Sequence, residues 1–529
     1  MSPDAVRVEL YDTTLRDGAQ RADLSYTVED RLRILHRLDQ VGFPFVEGGW
    51  PGANPRDSEF FKCATKETLT RSTLVAFGMT RRAGERAPDS QALRDLLDAG
   101  TETVCLVGKA WALHVTDALR TDLDEGEAMV RESVAFLRAQ GRRVFFDAEH
   151  FFDGYLTDPA FAMRVLIAAE EAGAERLVLC DTNGGMLPFD VARIVADVKG
   201  SAGVPLGIHV HNDAGCAVAN SLVAVDAGAY QVQGTINGYG ERTGNADLIP
   251  IAADLMLKMG AVDALPDGAV EHLTELAHYV AEVANVAPDS HQPYVGRFAF
   301  THKAGLHTSG VARLSGAYEH IPPETVGNRR GVVASDYGGG ATVRMKAVEI
   351  GLDLADEAIP RVVEDVKERE SKGYTFDVAD ASLELLMRGA SGWRQPFFEI
   401  ESYRVHVEQR TPDEEPLAEA TVKVVTKGSR HIESAEGHGP VGALDNALRK
   451  ALTNDYPELA HMSLEDYRVR VLGEQHGTGA VVRVLIDTSN GERGWTTVGV
   501  SENIIEASWE ALTDAYLFGL LHPREAEVA

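Results

Sequence analysis

The stretch PLGIHVHND, residues 205–213, joins a short apolar run to a polar end. Because side chains alternate across a β-strand, His209 and His211 project to the same side, with Cβ atoms roughly 6 to 7 Å apart. That spacing suits two imidazoles that bind one divalent cation, but an isolated His-x-His pair is also typical of hydrogen-bonded core histidines. Which of the two applies depends on where this predicted strand lies among its neighbours.

Seven other runs rich in β-branched and apolar residues occur in the first 260 residues: VRVELYD (6–12), FPFVEGG (43–49), STLVAFG (72–78), ETVCLVG (102–108), RRVFFDAE (142–149), ERLVLCDT (175–182) and AYQVQGTI (229–236). Amphipathic segments of helical period separate most of them, for example those that start at Thr27 and Pro159. Alternation at about 30-residue spacing predicts parallel strands with helical crossovers. Eight such units in roughly 250 residues predict a (β/α)8 TIM barrel, with an open doubly wound sheet as the alternative.

Polar side chains crowd the carboxyl ends of these predicted strands. They are Asp12, Arg16, Asp17, Glu47, Glu149, Asp181, Thr182, Asn183, His209, His211 and Asn245. A barrel gathers all its strand ends around one mouth, whereas an open sheet gathers only those near its switch point, so this distribution favours the barrel. It also adds a carboxylate, Asp17, to the two imidazoles, and such a set leaves positions on a metal open for water or substrate.

Arg16 and the glycine-rich stretch NGYGERTGN (237–245) can serve the same mouth. A guanidinium stays charged and can hold an oxyanion as it develops, and Glu47 can orient Arg16 through a bidentate pair. A surface ion pair with Asp17 is the alternative for Arg16. The glycines permit a tight loop that brings Asn245 close to the metal, although a plain turn would have the same composition.

The 529-residue chain has a formal net charge of −30, from 51 Lys and Arg against 81 Asp and Glu. This charge repels nucleic-acid phosphates and anionic membranes, so neither is expected as a partner. The four cysteines form no CxxC pair, which argues against a disulfide framework and a thiolate zinc site. With no signal-peptide pattern and no run of about 18 apolar residues, we expect a cytoplasmic protein.

Four motifs together resemble the signatures of the DRE-TIM metallolyase superfamily, the metal-dependent acyl-CoA Claisen lyases and synthases: LYDTTLRDGAQ, EGGWPG, GIHVHND and GYGERTGNADL. The resemblance implies that a divalent metal ion, Mg²⁺, Mn²⁺, Co²⁺ or Zn²⁺, is bound by Asp17, His209 and His211, with Asn245 as a further or water-mediated ligand.

The same resemblance implies roles for four more residues at the mouth. Arg16 would stabilise an enolate or alkoxide, and Glu47 would hold Arg16. Glu149 and Thr182 would line the pocket of a 2-oxo acid, Thr182 through its hydroxyl to the carboxylate.

Residues 298–330, FAFTHKAGLHTSGVARLSGAYEHIPPETVGNRR, hold three histidines and a tyrosine. An ordinary helical linker would explain them. The resemblance implies that His307 reaches over the barrel mouth and helps to move the proton from the acetyl methyl group of acetyl-CoA, with Tyr318 as its partner. His302 is the rival for this histidine.

The C-terminal part shows strands followed by a helix twice, a pseudo-repeat without an evident catalytic cluster. We therefore expect three domains: the catalytic barrel (1–275), helical linker subdomains that cover the site (276–390) and an α+β module (391–529). The module resembles the regulatory (LeuA-type) domain of the 2-isopropylmalate and citramalate synthases, where an end-product amino acid binds at a dimer interface. This implies a homodimer and a biosynthetic synthase rather than a hydroxymethylglutaryl-CoA lyase.

Within the synthases, EGGWPGANPRD and HKAGLHTSG resemble the citramalate synthase branch, which condenses pyruvate with acetyl-CoA, an acyltransferase reaction that feeds isoleucine biosynthesis. Phe77 and Leu106 are expected to close a small pocket for pyruvate, or else to be barrel core. A 2-isopropylmalate synthase or related enzyme is the alternative, followed by a lyase, a metal-dependent hydrolase and a non-catalytic amino-acid sensor.

Overall fold

Eight parallel strands close into a barrel in the computed structural model, which describes residues 6–259, 262–333, 335, 338–409, 416–472 and 480–524. The strands are β1 (Glu9–Asp12), β2 (Phe45–Gly49), β3 (Thr73–Met79), β4 (Thr103–Lys109), β5 (Arg143–Glu149), β6 (Arg176–Asp181), β7 (Leu206–Val210) and β8 (Gln231–Gly234). Each pairs with the next, and β8 pairs with β1. The predicted barrel is thereby confirmed, because an open sheet leaves two unpaired edges.

Helices follow the strands and pack around the barrel. They are α1 (Val28–Val41), α2 (Pro55–Ala64), α3 (Gln91–Asp98), α4 (Leu123–Ala139), α5 (Phe151–Thr157), α6 (Pro159–Glu171), α7 (Pro188–Lys199), α8 (Ala217–Asp226), α9 (Leu248–Leu257) and α10 (Leu273–Val283). Local sequence sets their ends, as α1 illustrates. Thr27 and Asp30 form a reciprocal capping box at its start, and Gly42, with a φ of 103°, ends it.

An aromatic core fills the barrel interior. Tyr11, Phe45 and Phe145 meet there, with the Phe45 and Phe145 ring centroids 5.1 Å apart. Val75 and Cys105 complete the layer. Because these side chains fill this part of the interior, the barrel is a packed core and not a pore.

The chain folds into two compact units, Met1–Phe300 with Pro322–Arg330, and Thr301–Ile321 with Gly331–Ala529. The first contains the barrel. The second begins with helices α11 (Gly305–Arg313), α12 (Gly340–Glu349), α13 (Ile359–Ser371) and α14 (Asp380–Ala390). These helices form the predicted helical linker region.

Two three-stranded antiparallel sheets and two helices complete the second unit. The first sheet contains β9 (Phe398–Glu408), β10 (Leu417–Thr426) and β11 (Ser429–Gly437) and is followed by α15 (Pro440–Leu452); the second contains β12 (Ser463–Leu472), β13 (Val481–Ser489) and β14 (Gly494–Ser501) and is followed by α16 (Ile504–Leu521). Both halves share one apolar core, which includes Val422, Leu448, Ile486 and Leu512. The predicted α+β module with an internal repeat is confirmed. Among the described residues, no helix is both long and apolar enough to span a membrane.

Candidate active site

A cavity of about 360 Å³ lies at the carboxyl ends of the barrel strands. Its walls combine apolar side chains, such as Met79 and Val107, with a ring of charged and polar ones. The cavity thus has the mixed lining that is typical of a small-molecule site. Seven of the residues singled out from the sequence line it: Arg16, Asp17, Phe77, Glu149, Thr182, His209 and His211.

Asp17, His209 and His211 converge on one point in this cavity. Asp17 Oδ2 lies 3.3 Å from His209 Nε2 and 3.8 Å from His211 Nε2. One candidate ligand atom from each of the three residues lies within 4.8 Å of the others, and all three side chains are buried. Two imidazoles and one carboxylate at this spacing can bind a divalent metal ion.

The protonation states of Asp17 and His211 suit metal binding. Burial opposes ionisation of Asp17, but the charge of Arg16 and the hydrogen bond from His209 hold its pKa well below its usual range. Burial, together with the charge of His209, lowers the pKa of His211 to about 4. At neutral pH the first is therefore a carboxylate and the second a neutral imidazole, the forms that coordinate metals.

The Nε2 atom of His209 faces the Asp17 carboxylate at 3.3 Å. Burial opposes a charged imidazole, yet the hydrogen bond and charge of Asp17 raise the pKa of His209. A proton on Nε2 and a divalent cation are alternatives at this position, because either one satisfies the Asp17 carboxylate. Metal binding is therefore expected to release a proton.

Glu47 and Phe77 hold the side chain of Arg16 in place. Its Nε donates to Glu47 Oε1 at 2.5 Å, and its guanidinium carbon lies 3.9 Å from the centroid of the Phe77 ring. Tyr11 donates to the other oxygen of Glu47 at 2.6 Å, so Glu47 cannot easily turn away. Although burial opposes a charged guanidinium, Glu47 and Asp17 raise the pKa of Arg16, which keeps it charged. Arg16 thus offers a fixed positive charge beside the candidate metal ligands.

Glu149 and Thr182 stand at the opposite rim, each with a partner that the sequence did not indicate. Glu149 forms an ion pair with Lys109 at the end of β4. Thr182 Oγ1 accepts a hydrogen bond from the backbone N–H of His150 at 3.0 Å, and Arg242 donates to the Thr182 carbonyl at 2.8 Å. Since Oγ1 already accepts a bond, the Thr182 hydroxyl proton is available to donate to a ligand.

Asn245 lies beside His211 but does not line the cavity. The two residues form an isolated antiparallel bridge, and Asn245 Nδ2 donates to the Tyr239 carbonyl at 3.2 Å. Its Oδ1 is buried and has no hydrogen-bond partner among the described residues. A buried amide oxygen without a partner is costly, which fits a direct or water-mediated ligand role.

Leu106 does not reach the cavity, which corrects the prediction that it closes the substrate pocket. It is fully buried, and the lining comes instead from its neighbour Val107. Along β4, Cys105 and Val107 face the barrel interior, so the alternation of side chains turns Leu106 outward. Phe77 does line the cavity, underneath Arg16.

His302, His307 and Tyr318 lie in the second compact unit. The His307 ring is 5.7 Å from that of Tyr318 and 6.5 Å from that of His302, measured between centroids. His302 Nε2 lies 3.6 Å from Glu319 Oε1. The structure brings these side chains together, and their role in proton transfer stays a prediction.

Asp147 and Gln233, which connect to His209, were not predicted from the sequence. His209 Nδ1 is 3.0 Å from Gln233 Oε1, and Gln233 Nε2 is 3.0 Å from Asp147 Oδ1. A signal was present for Asp147, because it stands two residues before Glu149 and must share its side of the strand. No comparable signal marks Gln233.

Three family models match the chain. Residues 7–280 match the HMGL-like family, residues 294–373 match the homocitrate synthase post-HMGL domain-like family, and residues 377–518 match the LeuA allosteric (dimerisation) domain. The first covers the barrel and every candidate metal ligand. The third covers both antiparallel sheets.

Curated relatives align with nearly the whole chain. The (R)-citramalate synthase of Streptomyces coelicolor is 54% identical over 516 residues, 97% of this chain and 96% of the relative. That of Geobacter sulfurreducens is 47% identical over 522 residues, 98% and 99% of the two chains. A probable 2-isopropylmalate synthase of Methanopyrus kandleri is 33% identical over 513 residues, 96% and 97%.

Proposed function

The chain belongs to the HMGL-like family, and on that premise we propose that it condenses acetyl-CoA with pyruvate to give (R)-citramalate and CoA. The acetyl methyl group loses a proton, its carbon bonds to the keto carbon of pyruvate, and the resulting alkoxide takes up a proton. Water then cleaves the thioester and releases CoA. The observation that carries this proposal is the buried group of Asp17, His209 and His211 beside the fixed guanidinium of Arg16.

Asp17, His209 and His211 would hold a divalent metal ion, with Asn245 as a further or water-mediated ligand. The donor set fits, because it supplies a carboxylate, two imidazole nitrogens and a buried amide oxygen that lacks a partner among the described residues. Mg²⁺, Mn²⁺, Co²⁺ and Zn²⁺ all suit such a set. When bound, the ion supplies Lewis-acid polarisation of a 2-oxo group.

Arg16 stabilises the negative charge that develops on oxygen during the condensation. Its guanidinium is held by Glu47 and supported by Phe77 before any substrate binds, so little reorganisation is needed during the reaction. Thr182 directs its hydroxyl proton to the carboxylate of pyruvate, and Glu149 lines the same rim. Phe77, Met79 and Val107 enclose the methyl group of the 2-oxo acid.

His307, with Tyr318, moves the proton from the acetyl methyl group. The contact between the His307 and Tyr318 rings supports this role for His307. His302, whose ring lies next to that of His307, is the alternative residue for the role. Replacing each histidine by alanine in turn separates them, because only the residue that moves the proton should affect the exchange of acetyl methyl protons with deuterated solvent.

The second unit serves regulation and assembly. Its match to the LeuA allosteric (dimerisation) domain supports a homodimer inhibited by an end-product amino acid, as expected for an enzyme that feeds isoleucine biosynthesis. A cavity of about 350 Å³ beside Gly437, Gly439 and Pro440 offers space for such a ligand. Inhibition of turnover by isoleucine, but not by lysine, would support this.

Release of the CoA thiol from acetyl-CoA, measured with a panel of 2-oxo acids and added Mn²⁺, tests the proposed reaction. We expect pyruvate to give the highest kcat/KM and Asp17→Ala to abolish turnover. No release dependent on a 2-oxo acid would overturn the proposal. Preference for 2-oxoisovalerate would instead establish the second candidate, a 2-isopropylmalate synthase, which the Methanopyrus kandleri relative favours.

A further inference from the structure

A chain of hydrogen bonds crosses the barrel interior behind the candidate metal ligands. It runs from His209 Nδ1 on β7 to Gln233 Oε1 on β8, and from Gln233 Nε2 to Asp147 Oδ1 on β5, each step 3.0 Å long. All three side chains are buried. His209 and Gln233 are paired in the barrel register, so the first contact is fixed by the backbone.

The chemistry of the three groups sets the direction of these bonds. A carboxylate only accepts hydrogen bonds, so Asp147 requires the NH₂ end of Gln233 to face it. The carbonyl end of Gln233 then faces His209 and accepts a bond from a protonated Nδ1. With one ring proton fixed on Nδ1, Nε2, which lies 3.3 Å from Asp17 Oδ2, is the nitrogen that would bind a cation beside Asp17.

We propose that Asp147 and Gln233 are positioning residues, which fix the tautomer and ring orientation of His209 so that Nε2 faces the metal ion. The inference rests on the metal-binding role proposed above for Asp17, His209 and His211. A hydrogen bond to the second nitrogen of a ligating histidine is how proteins generally orient that ligand. His211 has no such support, since its buried Nδ1 lacks a partner among the described residues.

The chain supplies a matched control two residues earlier on the same strand. Gln231 is also fully buried and donates from Nε2 to Glu9 Oε2 at 3.3 Å. Glu9 in turn pairs with Arg176, and neither residue lines the cavity. Loss of the Gln231 amide therefore removes a buried polar side chain from β8 without touching the metal ligands.

The first experiment compares Gln233→Leu with Gln231→Leu in the full-length protein. Co²⁺ is titrated and followed by its visible d–d absorption, and the tautomer of His209 is read from ¹⁵N chemical shifts of labelled histidine. Gln233→Leu should weaken Co²⁺ binding roughly 10- to 100-fold and lose the fixed Nδ1–H signal. Gln231→Leu should bind Co²⁺ within about twofold of wild type, because distant sites act independently. Equal Co²⁺ affinities in both variants and wild type would overturn the inference.

The second experiment exchanges the two polar groups. Asp147→Asn alone allows the side-chain amide of Gln233 to flip. Gln233→Glu alone places two carboxylates next to each other, where they repel. Combined, Asp147→Asn and Gln233→Glu restore both hydrogen bonds, because the new amide donates to the new carboxylate, which still accepts from His209 Nδ1. Each single variant should lose Co²⁺ affinity and the double variant should recover it. A double variant that folds but binds Co²⁺ as weakly as the weaker single variant would contradict a positioning role.

Asp17→Ala in the same titration separates this inference from the proposed function. If Asp17→Ala binds Co²⁺ like wild type, the proposed metal site itself is wrong. If Asp17→Ala loses Co²⁺ while Gln233→Leu and the exchange variants do not, the metal site stands and only the positioning role fails.

Discussion

At the scale of single residues, Val107 and Leu106 show how one step along a strand changes a side chain's role. Val107 lines the cavity, whereas Leu106 is buried on the outer side of β4. Val107→Ala should therefore enlarge the pocket and raise the kcat/KM for 2-oxobutanoate relative to pyruvate by about tenfold, the effect of one extra methylene group in an apolar pocket. The thiol-release assay with both acids measures this ratio.

Leu106→Ala is the control for that change. It should lower the free energy of unfolding by about 2 to 5 kcal/mol, because it leaves a cavity between sheet and helices, and the substrate ratio should not move. A shift in the ratio with Leu106→Ala but not with Val107→Ala would show that the pocket has been assigned to the wrong face of β4.

The buried carboxyl group of Asp12 should make the free energy of unfolding depend on pH. Burial raises its pKa to about 7, although hydrogen bonds from Thr14 oppose the shift. The unfolded carboxyl has a pKa of about 3.9, so the native state binds the proton more tightly between about pH 4 and 7. The free energy of unfolding should fall as the pH rises through this window, and Asp12→Asn should remove that fall.

Urea unfolding at pH 5, 6.5 and 8 measures this effect. The advantage of Asp12→Asn over wild type should grow by roughly 2 to 3 kcal/mol between pH 5 and 8. Asp267→Asn, at an exposed position, serves as the control and should follow the wild-type curve. Parallel curves for Asp12→Asn and wild type would refute a raised pKa at Asp12.

At the scale of elements, the barrel strands could be predicted closely from the sequence. The run RRVFFDAE differs from β5 by one residue at its start, and ERLVLCDT differs from β6 by one residue at each end, because turn residues and helix caps bound them. The face of each strand was harder to predict. A barrel strand is buried on both sides, so its apolar pattern does not show whether Leu106 or Val107 points inward.

Side-chain contacts between different strands across the barrel interior could not be predicted from the sequence either. The link from Asp147 to His209 through Gln233 depends on barrel closure and on the register of β7 and β8, neither of which the alternation of a single strand shows. The proximity of His209, His211 and Asp17 could be predicted, because the two histidines lie on one strand and Asp17 follows the carboxyl end of another strand at the same mouth. Contacts within one strand or at a common mouth are predictable, and contacts across the interior are not.

The loop after β8 carries a prediction of its own. Gly240 has a φ of +154°, and a Cβ there would collide with Asn245 Nδ2. Gly240→Ala should strain the backbone by about 1 to 3 kcal/mol and displace Asn245 from His211, which would weaken Co²⁺ binding. A Co²⁺ titration tests this. Gly185→Ala, where a Cβ has nothing within 4 Å, is the control. Unchanged Co²⁺ affinity in Gly240→Ala would exclude Asn245 as a ligand.

At the scale of the whole molecule, the two antiparallel sheets leave long edges. β9 and β12, of 11 and 10 residues, each have only one partner strand within the described residues. β12 also exposes Val469 and Val471. Exposed edges of this length are templates for pairing with another chain, and a net charge of −30 alone would oppose association. These features support assembly through the second unit.

Mutation of the β12 edge tests this mode of assembly. Wild-type protein should have twice the 57.2 kDa chain mass in size-exclusion chromatography with light scattering. Val469→Asp combined with Val471→Asp should shift it to the chain mass, because two buried charges at the interface would lack partners. Val348→Asp, on α12 at a side chain that is 80% exposed, is the control and should stay dimeric. In the monomeric double variant, inhibition by the end-product amino acid should also be lost. If the double variant remains dimeric, the dimer interface lies elsewhere on the chain.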